Sequence, residues 1–396
     1  MNRTFDLCSK GMLAGGLAIA LFAPLHGAQA KNDKVLYAFT GGHDGSEPFA
    51  GMIEDSAGNL YGTTSLGGAN DDGTVFKVAP DGTESVLHSF DGTDGNEPSA
   101  APIMDGAGNL YGTTFVGGAN GAGAIFKLTP GGTESVLYAF TGGTDGLFLQ
   151  AGVIEDSSGN LYGTALLGGA YDHGDVYRLT PNGTLTVLYS FTGGSDGAEP
   201  EGGVVEDSSG NLYGTTSHGG ADNDGTVFQL APDGTETVLH SFTGGNSDGS
   251  EPFAGLIMDG AGNLYGTTFQ GGLHNAGTIF KVATDGTETM LYALQGGNDG
   301  ANPEANLVED SKGNLYGTAS LGGGSGCGGS GCGTIFEIKG RGSEKVLHRF
   351  AGAKDGAEPA SSLVLGQQGF LYGTASFGGG AGCGGSGCGV VFKLRK

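Results

Sequence analysis

Three features of the sequence predict an all-β fold, a seven-bladed β-propeller of four-stranded antiparallel blades. The phrase GNLYGTT, or a close variant, occurs seven times, with its tyrosine at positions 61, 111, 162, 213, 265, 316 and 372. Successive tyrosines are 50, 51, 51, 52, 51 and 56 residues apart, a period typical of propellers and solenoids. No segment shows a sustained apolar period of about 3.6 residues, which argues against helices.

The first repeat contains the four strands of one blade. Residues 50–55, 60–65, 73–78 and 84–90 are short runs of strand character, separated by the turn-forming segments SAGN, GGANDDG and APDGT. The repeated phrase is therefore the second strand with the turn before it. Its glycines permit a tight turn and close contacts between blades, while its leucine and tyrosine fill opposite faces.

The N-terminal strand is expected to complete the last blade. A run of the VLxxF type, which forms the fourth strand, precedes the first GNLYG phrase, and none follows the final VVFKLRK. Residues 34–39 would supply the missing strand. This exchange closes the ring and removes two exposed sheet edges, which a linear solenoid would not need. We predict a single propeller domain over residues 31–396.

The first thirty residues have the organisation of a secretory signal peptide. A basic start is followed by an apolar run too short to span a membrane and then by Ala28-Gln29-Ala30. We expect cleavage near Ala30 and a secreted, periplasmic or extracellular protein without a membrane span. Residues 1–30 would then be absent from the mature chain.

The net charge narrows the range of partners. The whole chain carries −25, and removing the first thirty residues, whose net charge is +1, leaves −26. Such a surface repels phosphate backbones and anionic membranes, so nucleic acid is excluded as a partner. We expect a monomer whose ligand is a carbohydrate, cell-wall material or a protein.

The repeat as a whole, with GNLYGTT, GG, GTVFKL, VLY and FTGGxDG in order, resembles the GloVer (Gloeo-Verruco) tandem repeat of exported bacterial proteins. The resemblance covers nearly all of residues 31–396. That family is known for its repeats rather than for a defined activity. The DxxGNLY turn is also similar to blades of virginiamycin B lyase-like propellers.

Two kinds of loop are expected on one face of the propeller, which we call the loop face. The TGGxDGxEP loop connects consecutive blades, and the GGANDDG loop joins the second and third strands of a blade. Variation between repeats concentrates in these loops, whereas the DSxGN and PDGT turns of the opposite face scarcely vary. We expect the loop face to carry the function.

The DGxEP motif places five acids on this face, namely Glu47, Glu97, Glu199, Glu251 and Glu358. If the loops surround the central channel, these glutamates would form a partial carboxylate ring suited to calcium, the one cofactor that the sequence suggests. The alternative is that Asp-Gly forms the turn and the glutamate is simply solvated, since no dense calcium-loop spacing is present.

The histidines fall into two groups. Three occupy a strand position that is tyrosine in other repeats, and we interpret them as packing residues: His88, His240 and His348. Four others lie on or beside the loop face, where imidazole suits acid–base chemistry or metal ligation: His43, His173, His218 and His274. Chance is the alternative, because loops are polar and variable.

The third repeat departs from the pattern. It has DGLFLQ in place of DGxEP, which puts Leu147, Phe148, Leu149 and Gln150 on the loop face. Its next loop, GGAYDHGD, brings together Tyr171, Asp172, His173 and Asp175. An apolar rim beside such a cluster would form a ligand pocket, whereas repeat drift or a plug over the channel are the alternatives.

Cys327 and Cys332, and Cys383 and Cys388, lie in identical CGGSGC segments one repeat apart. In an exported protein we expect the disulfides Cys327–Cys332 and Cys383–Cys388 rather than a four-thiolate zinc site. Whether each pair closes within its loop or across blades depends on geometry.

No phosphate loop or HExxH motif is present in the sequence, and no GxSxG segment lies in the strand-to-helix turn of a nucleophile elbow. We therefore expect a non-enzymatic exported propeller that binds an oligosaccharide, cell-wall material or a protein through the loop face. One alternative is a periplasmic or extracellular lyase or hydrolase with His173, His218 or His274 as its base. A second alternative is a structural envelope protein.

Overall fold

The computed structural model describes residues 34–340 and 342–396, and the predicted signal peptide lies outside these ranges. The chain forms seven four-stranded antiparallel sheets in which strands consecutive in sequence are hydrogen-bonded neighbours, apart from the sheet that contains the N-terminal strand. Each sheet is one blade of a β-propeller, as the repeats predict. The described residues include no helix long and apolar enough to cross a membrane.

Blades 1 to 4 follow the chain without interruption. Blade 1 consists of β2 (Ile53–Glu54), β3 (Leu60–Thr64), β4 (Thr74–Val78) and β5 (Glu84–Ser89). Blade 2 consists of β6 (Ile103–Met104), β7 (Leu110–Thr114), β8 (Ala124–Leu128) and β9 (Glu134–Ala139). Blade 3 consists of β10 (Ile154–Glu155), β11 (Leu161–Ala165), β12 (Asp175–Leu179) and β13 (Leu185–Ser190). Blade 4 consists of β14 (Val205–Glu206), β15 (Leu212–Thr216), β16 (Thr226–Leu230) and β17 (Glu236–Ser241).

Blades 5 to 7 carry small additions. Blade 5 consists of β19 (Ile257–Met258), β20 (Leu264–Thr268), β22 (Thr278–Val282) and β23 (Glu288–Ala293), beside a ribbon of β18 (Gly249–Ser250) and β21 (Gln270–Gly271). Blade 6 consists of β24 (Val308–Glu309), β25 (Leu315–Ala319), β26 (Thr334–Lys339) and β27 (Ser343–Arg349). Blade 7 consists of β28 (Val364–Leu365), β29 (Phe370–Ala375), β30 (Val390–Arg395) and β1 (Lys34–Ala38). Short 3-10 turns occupy Cys327–Gly329, Gln367–Gly369 and Cys383–Gly385.

The ring closes through the N-terminal strand, which confirms the prediction from the terminal repeats. Strand β1 pairs antiparallel with β30, from Lys34 opposite Lys393 to Ala38 opposite Val390. The order of this sheet is β1-β30-β29-β28, so the N-terminal segment is the outer strand of the last blade. Strand β30 is therefore paired on both sides, and β1 takes the outer position that the fourth strand holds in every other blade.

The innermost strands are shorter than the sequence indicates. The predicted strand 50–55 is reduced to the two residues Ile53–Glu54, and the same holds in every blade. Residues nearer the axis pack against neighbouring blades instead of pairing within their own. A Cβ atom added to Gly51, for example, would lie 3.1 Å from the carbonyl oxygen of Ser362 in blade 7.

Aromatic side chains between the blades form the core. Phe76 is fully buried, and its ring meets Phe39 of the preceding blade edge-on at 5.1 Å. The glycine of the repeated phrase makes room for this ring, since a Cβ atom on Gly62 would lie 2.7 Å from it. The phrase recurs because every interface between blades needs this close approach.

Both disulfides close within their own loops. Cys327 is bonded to Cys332 and Cys383 to Cys388, with Cα atoms 5.3 Å apart in each pair. The second cysteine of each pair is buried. The bonds therefore fix the extended glycine loops of blades 6 and 7 against the blades that carry them.

Candidate functional site

The two predicted kinds of loop meet on one face in every blade. Ser46 pairs with Leu66 in blade 1, Ala198 pairs with His218 in blade 4, and equivalent bridges occur in the other blades. The glutamate of each DGxEP loop also reaches the preceding blade, since the Glu199 amide donates to the His173 carbonyl at 3.0 Å. The loop face is thus a continuous surface of backbone contacts around the axis.

The position of that glutamate has an unusual backbone conformation. All seven copies have φ between 54° and 62°: Glu47, Glu97, Phe148, Glu199, Glu251, Asn302 and Glu358. Residues other than glycine seldom adopt this left-handed region. All seven blades share this conformation, so it is a property of the blade and not of one residue type. It orients the seven side chains in the same way around the axis.

Carboxyl groups at these positions influence one another electrostatically. Burial raises the pKa of Glu47, and the charges of Asp71 and Glu97 raise it further. The pKa of Glu358 is likewise raised by burial and by Glu47. Within residues 34–340 and 342–396, however, none of the five predicted ring glutamates belongs to a group whose ligand atoms could share an ion. The calcium ring stays a prediction.

A second set of side chains comes directly after the proline of the DGxEP motif, or after the residue that replaces it. The set was not singled out from the sequence. Its members are Phe49, Ser99, Gln150, Glu201, Phe253, Glu304 and Ala360. Gln150 Nε2 donates to Glu201 Oε2 at 3.1 Å, and Ser320 Oγ donates to Glu304 Oε1 at 2.7 Å. Burial raises the pKa of Glu201 to about 7, aided by the neighbouring charges of Glu199 and Glu251.

His218 lies beside Glu199, whose charge also raises the pKa of Glu201. Its Nδ1 is 2.9 Å from Ser217 Oγ and 3.3 Å from Glu199 Oε2, and Ser217 Oγ donates to the Glu199 carbonyl at 3.0 Å. Both contacts engage the same ring nitrogen, so this is not a serine triad, in which the two imidazole nitrogens face different partners. The geometry holds the proton on Nδ1 and leaves Nε2 as the acceptor.

These contacts form two groups, which adjoin where Ser217 and Glu199 influence the pKa of Glu201. We call the five residues the mouth cluster: Gln150, Glu199, Glu201, Ser217 and His218. Gln150 and His218 were predicted as ligand-binding candidates, whereas Glu201 and Ser217 were missed. The acid directly after the EP of GAEPEGG was the available signal.

Two pairs of half-buried aromatic rings extend the same loops on either side of the mouth cluster. Phe115 and Phe148 are stacked with centroids 4.9 Å apart and planes at 17°. Phe253 and Phe269 are also 4.9 Å apart, with planes at 41°. In both pairs, a ring from a loop between blades meets a ring at the end of a second strand.

The two groups of residues that were expected to form a pocket in the third repeat, one around Phe148 and one around His173, face different blades. Phe148 faces blade 2, where its amide donates to the Ala122 carbonyl at 3.1 Å. His173 faces blade 4, where its ring packs against Gly193. Leu147 is half-buried and packs against the same core cluster that contains Leu149, so most of the apolar run packs within the protein.

The remaining candidates lie at the tips of the GGANDDG-type loops. Asp172 stabilises its own turn, because its Oδ1 accepts a hydrogen bond from the Gly168 amide at 3.3 Å. Tyr171 is 59% exposed, and His274 occupies the equivalent exposed position in blade 5. Across the described ranges, no hydrogen bond, ion pair or metal-compatible group joins His274 to His173 or His218.

Comparisons with known proteins agree with this architecture. A streptogramin B lyase structure is 16% identical, with a TM-score of 0.61 over 93% of this chain and 99% of that one. Virginiamycin B lyase from Staphylococcus aureus is 13% identical, with a TM-score of 0.58 over 92% and 98%. The extracellular domain of a hybrid two-component system from B. thetaiotaomicron is 12% identical, with a TM-score of 0.52 over 89% of this chain and 39% of that one. Such low identities support the fold alone.

No curated protein matches the chain significantly. The model of the Gloeobacter/Verrucomicrobia repeat matches residues 25–208 and 200–396, which together contain all seven blades. The repeated phrase, the blades built from it and this match lead to one conclusion: the chain belongs to the Gloeobacter/Verrucomicrobia repeat family.

Proposed function

We propose that this propeller is an exported, non-enzymatic binding protein that takes an oligosaccharide at the mouth cluster. The observation that carries the proposal is the clustering of Gln150, Glu201, Ser217 and His218. Gln150 donates to Glu201 at 3.1 Å, and His218 Nδ1 is 2.9 Å from Ser217 Oγ. The two pairs adjoin, because a hydrogen bond from Ser217 lowers the pKa of Glu201 against the effect of burial. A row of carboxylate, amide and hydroxyl groups suits the many hydroxyls of a sugar.

The surroundings narrow the class of ligand. The stacked pair of Phe115 and Phe148 offers apolar ring surface beside polar groups, which matches the two faces of a sugar ring. The glutamates around the mouth, together with a net charge of −25, disfavour anionic ligands. We therefore expect a neutral or cationic oligosaccharide. The two disulfides favour an oxidising, extracytoplasmic compartment.

The test is binding of neutral, cationic and anionic oligosaccharides, measured by calorimetry. Gln150→Ala and Glu201→Gln should each weaken binding about tenfold or more, because hydrogen bonds to charged groups contribute about 1.5–3 kcal/mol. Ser209→Ala, an exposed residue on the opposite face, is the matched control and should bind normally. Equal affinity of the two mouth variants and the control would refute the proposed site.

One observation favours a second function, a lyase or hydrolase. Glu199 and Ser217 orient Nδ1 of His218, so its Nε2 would be positioned as a general base. The two lyases of similar fold make streptogramin B a reasonable first substrate. Turnover that is lost in His218→Ala but retained in His274→Ala would establish the enzyme. Ligand binding without turnover would support the binding protein.

A further inference from the structure

At the periphery of the propeller, each interface between blades brings together three side chains of fixed repeat position. The first is the aromatic residue of a fourth strand, the second is the aspartate of the DG loop that follows, and the third is the glutamate that opens the next fourth strand. At two interfaces the aromatic residue is histidine. We call these groups the blade 1–2 cluster (His88, Asp94, Glu134) and the blade 4–5 cluster (His240, Asp248, Glu288).

The geometry of both clusters is compatible with a metal ion. In each, one nitrogen or oxygen from every residue lies within 4.8 Å of the other two. His240 Nε2 is 3.3 Å from Asp248 Oδ2, close to the separation of about 3.4 Å between two ligands of a tetrahedral zinc ion. His88 Nε2 is 2.7 Å from Asp94 Oδ2, so a metal would replace the shared proton and widen that pair slightly.

The electrostatics of both clusters favour a cation. In each, two carboxyl groups that are at least half removed from solvent face one imidazole. Glu134 Oε1 is buried and has no hydrogen-bond partner among the described residues. A divalent ion would neutralise the close carboxylates and give this oxygen a partner.

The other interfaces supply an internal comparison. At four of them tyrosine replaces the histidine and donates a hydrogen bond of 2.8–3.0 Å to the aspartate: Tyr37, Tyr138, Tyr189 and Tyr292. Unpartnered glutamate oxygens occur there too, as at Glu84, so the orphaned oxygen alone does not distinguish the clusters. The imidazole distinguishes them. The neutral phenol of a tyrosine donates a hydrogen bond to the aspartate, whereas an imidazole nitrogen at the same position can bind a metal.

We propose that the blade 1–2 and blade 4–5 clusters each bind one zinc ion through a nitrogen and two carboxylates, with water as the fourth ligand. Imidazole nitrogen and carboxylate oxygen are both zinc ligands, and a site with three protein ligands leaves the fourth position to water. The side chains of His88 and Asp94 are 19% and 17% exposed, which allows an ion to enter from solvent. Each ion would join two blades at the rim, because its ligands come from both.

The natural tyrosine at this position gives variants that keep the blade intact. Equilibrium dialysis of the chelator-treated protein against zinc should show one ion fewer in His88→Tyr, one fewer in His240→Tyr and two fewer in the double variant. Cobalt substitution should give visible absorption that decreases in the same steps. An unchanged ion count in the double variant, or no zinc bound by the wild-type protein, would overturn the proposal.

His348 is the third histidine at this position and lies 3.5 Å from Asp355. The position that would supply its third ligand precedes Lys34 and is outside the described residues. The experiment therefore compares ion counts between variants, so that zinc bound elsewhere does not change the outcome.

Discussion

The hydroxyl of Thr374 in blade 7 donates a 2.9 Å hydrogen bond to the carbonyl of Ala50 in blade 1, 324 residues earlier in the chain. The same threonine of the other six blades donates to the next blade at 2.8–3.4 Å. In the GT pair of the repeated phrase, the glycine thus allows close packing, and the threonine links consecutive blades through a hydrogen bond. The link that closes the ring is equivalent to the six others.

Replacing Thr374 by valine should therefore destabilise the whole ring. The substitution keeps the shape but leaves the buried Ala50 carbonyl without this donor, at a cost of about 1–3 kcal/mol. Urea denaturation measures the loss. Thr133→Val, at an exposed position, should change stability by less than about 0.5 kcal/mol. A similar effect of the two variants would contradict the role of this hydrogen bond.

Glu84 should make stability depend on pH. Burial and the charge of Asp44 raise its pKa from the ordinary 4.5 to about 7, so the folded state binds the proton more tightly than the unfolded state. Its contribution to stability is then greatest below pH 4.5 and decreases as pH rises towards 7. Glu84→Gln should reduce this slope, as measured by denaturation from about pH 5 to 8 with chelator present. An unaltered slope would show that Glu84 does not contribute.

Replacing Asp175 in blade 3 should stabilise the protein. It is fully buried, and neither carboxyl oxygen has a hydrogen-bond partner among the described residues. Burial and Asp145 raise its pKa to about 8. In blade 6 the equivalent Thr334 also faces an alanine, Ala319, and its hydroxyl donates to the Asp299 carbonyl at 3.1 Å.

We expect Asp175→Thr to stabilise the protein by about 1–3 kcal/mol in urea denaturation, most strongly above the raised pKa. The reverse change, Thr334→Asp, should destabilise it. If Asp175→Thr is destabilising, the carboxyl group must have a role in ligand binding or structure that outweighs its burial.

A new zinc site should be obtained by one substitution at the interface of blades 3 and 4. Tyr189 already faces Asp196 at 3.0 Å, and the charge of Glu236 reaches the same tyrosine. Tyr189→His should therefore add one zinc ion in dialysis. Tyr138→His is the matched control, because Leu185 stands where the third ligand would be, and it should add none. Equal gains in both variants would mean that the glutamate is not a ligand.

The sequence was sufficient to predict the blades, their closure and the face on which the loops meet, because all three follow from residues at equal repeat positions. It was less informative where function depends on contacts between different positions in neighbouring repeats. His88 was interpreted as a packing residue, and its ring does meet Phe90 edge-on at 4.9 Å. Its other neighbour, Glu134, belongs to the next blade, and only the packing of blades brings the two together.

The left-handed backbone of the ring glutamates was not predicted for a similar reason. Nothing in the motif marks Glu47 as a residue of positive φ, because the conformation results from two hydrogen bonds to different segments. Its amide donates to the Cys388 carbonyl, and its own carbonyl accepts from Ser65. Glu201 was missed because it lies just beyond the motif that was compared between repeats.

The pairing of Lys34 with Lys393 makes the two ends of the propeller neighbours on adjacent strands. A short linker could join them, and the chain could be reopened at any loop between two other blades. The resulting circular permutant would contain seven blades each made from one continuous segment. Its stability relative to the natural chain order would measure what is gained by holding the first and last segments of one polypeptide in the same sheet.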